Sequence, residues 1–191
     1  MHSHSFKRDA DELLKDELIL GKIDVARRQL ITSIRMFFFD WDPVSLHTVA
    51  AAAHGVLRDL AKHRGIAKSF KDSPLIAPAA RRDFLRAVNL PQNFFKHGND
   101  DPNGKMAFRY QGTSLFLLDA ILLYISLETE LAYEIRVFLV WAQLRFPDLL
   151  CLESVEHDLK QIRDTTSDPA IFRTLGRVML IEYDNKRPTK S

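Results

Sequence analysis

The sequence predicts an all-α fold, a single multi-helix bundle, on three observations. Apolar residues recur at spacings of three and four over most of the chain, which is the period of one helical face and not the alternation of a strand. Asp-Pro, Gly and Pro stand where such runs begin and end. Gly and Pro number only 7 and 8 in 191 residues, too few for the tight turns of an all-β domain.

The elements follow in order. Behind a polar start, "DADELLKDELIL" reads as a short first helix. In "KIDVARRQLITSIRMFFFDW", Ile23, Ala26, Leu30, Ile34 and Phe37 make one apolar stripe, and Arg27, Arg28 and Arg35 fall off it towards solvent. Asp42 followed by Pro43 starts the next helix: the carboxylate accepts from free first-turn N–H groups, and proline suits the first helical position. Val49, Ala53, Val56 and Leu60 carry its stripe to a stop at Gly65, and Ala50 to Ala53 leave room for a neighbouring helix to come close.

Residues 66–77 have no period and read as a connecting loop, and "PAARRDFLRAV" is a short helix. Pro91 opens another that runs to Gly98, with Phe94 and Phe95 as its core anchors. "KMAFRY", near 105–110, is expected as a short extended arm. Helices are expected over about 113–127, 129–145, 152–164 and 169–182, with Pro147 closing the second. No repeat or composition break divides the chain, so residues 1–191 form one domain, with tails at 1–8 and 184–191.

Hydrophobic residues at 46% and charged residues at 27% are the balance of a globule and not of a disordered chain. The net charge of +2 is too small to imply nucleic acid by itself. One cysteine, Cys151, leaves no disulfide framework and no multi-cysteine metal centre, which makes a reducing cytoplasm the default expectation. The most apolar stretch, "SLFLLDAILLYISL", is broken by Asp119 and falls short of the roughly 20 residues that cross a bilayer, so no membrane partner is expected.

The densest polar stretch, "NLPQNFFKHGNDDPNG" (89–104), is the first candidate site. In a helix, Asn93 and His97 share a face with Lys96 beside them, so an amide, an ammonium and an imidazole could converge on one anion or hydroxyl. An imidazole titrates near neutrality and suits general acid or base work. The alternative is a helix end followed by a solvated turn. Asn99, Asp101, Asn103 and Gly104 alternate as in a calcium loop, but Tyr110 holds the place of the bidentate glutamate and Pro102 stiffens the loop, so a polar turn is expected. No cofactor or metal is implied.

His47 and His54 lie two turns apart on one helical face, too far to share a metal, although one could join His97 in a cluster. Backbone hydrogen bonding is their plainer role. Asp119, on so apolar a helix, requires a partner, expected among Lys96, Arg86, His47 and His97, and it would orient a site histidine.

"ARRQLITSIRMFFF", "DPVSLHTVAAAAHGVLRDL" and "NFFKHGNDDP" together resemble an uncharacterised family of bacterial helical proteins over roughly residues 20–145, a resemblance that brings no known activity. "QNFFKH" more distantly resembles the HEPN signature, in which an arginine, then Asn or Asp, precede a histidine in a helical bundle. That resemblance implies metal-independent RNA cleavage across a homodimer interface, in a toxin–antitoxin or defence system, with Asn93 and His97 in the motif positions. Gln92 stands where the arginine belongs, and an amide cannot neutralise developing phosphorane charge; only Lys96 or Arg86 could substitute. The sequence therefore predicts a non-catalytic binding module with an Asn/Lys/His site and an RNA or protein partner, the HEPN-like endoribonuclease being the alternative.

Overall fold

The computed structural model describes residues 17–66, 69–73, 77–99, 101–147, 156–166 and 168–187. They form an all-α body of seven packed helices, with no strand among them.

Helix α1 (Lys22–Phe38) starts at Gly21, whose N–H donates to the Asp24 carboxylate at 3.0 Å. Its stripe is buried as expected at Ala26, Leu30, Ile34 and Phe37. Helix α2 (Pro43–His63) starts at Asp42, which accepts from the Ser45 N–H at 2.7 Å, and the chain leaves it through Gly65 at φ 72°. The alanines allow close packing: Ala50 and Ala53 are fully buried, and α2 lies between α1 and α4 (Thr113–Leu127).

Helix α3 (Pro78–Lys96) follows a 3₁₀ turn at Phe70–Asp72, in which Lys71 is buried. Here the structure departs from the sequence reading, because Pro91 does not open a helix but sits inside one. Its missing N–H leaves the Ala87 carbonyl without its helical donor. Phe94 is exposed and Phe95 half-buried, so neither anchors α3 in the core. Residues 105–109 have no partner strand; Phe108 instead packs against His47 and Phe95.

Helix α5 (Tyr133–Arg145) packs on α1 and on α7 (Pro169–Lys186), with α6 (Glu156–Thr165) beside it. Phe37 meets Phe38, Phe138 and Trp141 edge to face at the centre. Arg35 does not face solvent freely. It bonds Glu134 at 2.7 Å and Asp184 at 2.7 and 2.8 Å, tying α1 to α5 and α7, and both carboxylates hold its pKa above the ordinary value. Asp184 thus belongs to the last turn of α7 and not to a tail.

Most of the expected first helix lies outside the described residues; Glu17–Leu20, the described part, is not helical. Trp41 is exposed. Tyr110–Leu127 is long and apolar enough to cross a bilayer, contrary to the length argument from sequence, but most of it is buried as in a core helix.

Candidate functional site

Helix α2 delivers His47 and His54 to the same side. Their rings flank Phe116 of α4, with centroids 5.5 Å away for His47 and 4.5 Å for His54. The seven-residue spacing produces this arrangement, since two turns of helix return to nearly the same face.

His54 is tied into a polar knot. Its Nε2 lies 2.6 Å from Asp119 Oδ2, which also accepts from the Ser69 hydroxyl at 2.8 Å, while Asp119 Oδ1 accepts from the Phe70 N–H at 3.0 Å. Burial lowers the His54 pKa, against the opposing pull of Asp119. A neutral ring donating from Nε2 satisfies this geometry. Asp119 therefore has a histidine partner, but it is His54 and none of the four groups expected from sequence. The knot is not a nucleophilic triad. Such a triad needs the imidazole to bridge acid and hydroxyl through opposite nitrogens, and here Ser69 Oγ, at 3.3 Å, faces the same Nε2 as Asp119.

Lys71 belongs to the same 3₁₀ turn and is buried. Its ammonium donates to Asn89 Oδ1 of α3 at 2.7 Å and lies 4.5 Å from the centroid of the Phe116 ring. Burial, then the nearby Arg58 charge, bring its pKa down to about 8. Arg58 pairs with Asp72 at 2.6 Å, and Arg81 of α3 donates to the Lys71 and Ser73 carbonyls at 3.1 and 3.0 Å. These polar ties hold one end of α3.

Beyond the ties, α3 stands off α4 and leaves a cavity of about 590 Å³. Its walls are mainly apolar, with Phe70, Phe84, Val88, Phe108, Phe116 and Leu122 among them, and the polar groups are His47, Arg109, Thr113 and Asp119. Ala87 and Pro91, whose backbone mismatch was noted above, also line it.

His47 is the unsatisfied member. Only 5% exposed, it meets the Thr113 hydroxyl through Nδ1 at 3.0 Å, and its ring is caged by Phe95, Phe108 and Phe116. Its Nε2 is buried with no hydrogen-bond partner among the described residues. Burial, and secondarily the Lys71 charge, lower its pKa to about 4, so the ring is neutral at physiological pH. A neutral imidazole offers one donor or one acceptor at the free nitrogen, according to its tautomer.

The other expected site residues lie elsewhere. Asn93, Lys96 and His97 are all exposed at the end of α3, and none lines this cavity. His97 is the C-cap, with extended backbone, and the bond joining it to Asn93 is between main-chain groups, N–H to carbonyl at 3.1 Å. Arg86 is exposed, and Asp101 is exposed in a turn closed by the Gly104 N–H at 3.0 Å. Among the described residues, no three His, Cys, Asp or Glu side chains converge as metal ligands. Sequence reasoning found His47 and Asp119 but passed over Ser69, Lys71 and Asn89. Its available signal was Ser69 ahead of Phe70, a small cap beside an aromatic anchor. Compared with protein-family models, curated proteins and solved structures, the chain matches none.

Proposed function

We propose that this protein is a non-catalytic binding module whose ligand is a neutral, largely apolar molecule carrying a hydroxyl group, seated between α3 and α4. The observation that carries the reading is the buried, unpaired His47 Nε2 in the wall of a large apolar cavity. An unmade hydrogen bond at such a site costs about 1–3 kcal/mol. A hydroxyl recovers it with either tautomer, since it both donates and accepts. The volume falls in the usual range for small-molecule sites, which combine apolar walls with a few orienting polar groups. His54, Ser69 and Asp119 are committed to one another, which supports binding over chemistry.

Calorimetry with 1-decanol as probe tests this. Saturable 1:1 binding at about 100 µM or tighter is expected. Val88→Trp, which projects an indole into the cavity, abolishes it without lowering Tm, and His47→Phe weakens it roughly fivefold. Absence of binding, or binding indifferent to both substitutions, overturns the reading. Metal-independent cleavage of single-stranded RNA, lost in His97→Ala, would replace it with the HEPN-like ribonuclease.

A further inference from the structure

A second cavity, of about 580 Å³, lies on the other side of Thr113, between α4, α5 and α7. Three guanidinium groups line it, Arg145, Arg173 and Arg177, and Asp40 is the one carboxylate among the described residues of its wall. Arg173 and Arg177 both pair with Asp40, which its own φ of 54° turns back beneath the end of α1. The same two arginines donate to the last carbonyls of α1, Arg173 to Phe37 at 2.9 Å and Arg177 to Phe38 at 2.8 Å. Docking α7 on α1 accounts for both.

It does not account for the rest of the wall. Arg145 has no carboxylate partner among the described residues and meets only the Phe146 ring, at 5.1 Å. Trp141 is 7% exposed, and its Nε1–H is buried with no acceptor among the described residues. Tyr110, Gln111 and Ser114 bring the start of α4 to the same wall, and no side chain caps that start or the 3₁₀ turn before it. Helix N-termini favour negative charge. Among the described residues, one carboxylate against three guanidinium groups, a helix start and an unpaired indole donor makes the wall electropositive, with aromatic rings at Phe37, Trp141 and Phe146.

We propose that this cavity is a second site, separate from the His47 cavity, for the phosphate of a small ring-bearing molecule. Arg145 and the Trp141 Nε1–H hold the phosphate oxygens, and the aromatic wall takes the ring. Guanidinium matches phosphate geometry in paired hydrogen bonds.

Tryptophan emission, excited at the red edge to spare the tyrosines, reads the site directly in a Trp41→Phe background, since Trp41 is exposed and Trp141 is then the sole tryptophan. Titration with AMP is expected to change Trp141 emission saturably at sub-millimolar concentration; inorganic phosphate acts more weakly, and adenosine not at all. Arg145→Ala, an exposed position whose loss spares the fold, weakens AMP at least tenfold with Tm unchanged. Trp141→Phe, followed by calorimetry, weakens it several-fold while keeping the ring. Phosphate binding as tightly as AMP would overturn the ring-bearing part of the proposal. No response to AMP at 10 mM, or affinity unchanged in Arg145→Ala, would overturn the site.

Discussion

Helices α2 and α3 are alike in length, 21 and 19 residues, and each begins on a proline, yet α2 buries eight residues and α3 none. The difference lies in what each offers its neighbours. Alanines on α2 let α1 and α4 close to full contact, so even His47 and His54 are covered. On α3 the apolar side chains reach across a gap, while Arg81 and Asn89 fasten the helix to the 3₁₀ turn. One helix is held by packing and the other by a few directional bonds with empty space beneath. Sparse packing of this kind gives low local stability and permits opening to a ligand.

Substitutions sharpen the contrast. Phe38→Ala removes a fully buried ring from the α1–α5–α7 core and should cost about 3–5 kcal/mol in chemical denaturation. Phe84→Ala, on half-buried α3, should cost under about 1.5. Equal losses would mean that α3 is part of the core after all.

Acidity probes the floor of the cavity. His47 binds a proton near pH 6.5 when unfolded but only near pH 4 when folded. Between those values the unfolded chain takes up the proton preferentially, so stability falls as the pH drops, by on the order of 3 kcal/mol at pH 4. His54, lowered as well, acts in the same direction. His47→Phe should flatten the slope in that window, which denaturation at pH 7, 5.5 and 4.5 measures. Lys71 acts at the alkaline end: lowered to about 8, it makes stability rise from pH 8 towards 10.5.

Asp119→Asn keeps shape but loses the anionic acceptor of three donors, and a drop of about 2 kcal/mol is expected in thermal melts. At the small end, Arg86→Ala and His97→Ala, both exposed, should stay within about 0.5 kcal/mol of the parent.

What the sequence made legible was local. The α1 stripe, the Asp42–Pro43 start and the stop at Gly65 are each written within a few residues, and the structure has all three. The demand that Asp119 find a partner was legible too, because a carboxylate among leucines has few alternatives. Its partner was not, since His54 lies 65 residues away and only the fold brings them together. Residues 69–72 read as a loop because four residues carry no period, although they hold Ser69 and Lys71. Pro91 read as a helix start, since proline favours that position, and nothing nearby signals that a helix on the rim of a cavity tolerates one. The cavity is an absence of contact, which periodicity does not encode.

The imidazole of His47 gives the most direct measurement: ¹⁵N chemical shifts of its ring nitrogens during titration with 1-decanol. Occupation of the gap between α3 and α4 predicts a saturable shift at Nε2, with His97 unmoved and α3 amides exchanging more slowly in the bound protein. Saturation of the protein with decanol while the His47 ring and the α3 amides stay unchanged would contradict it.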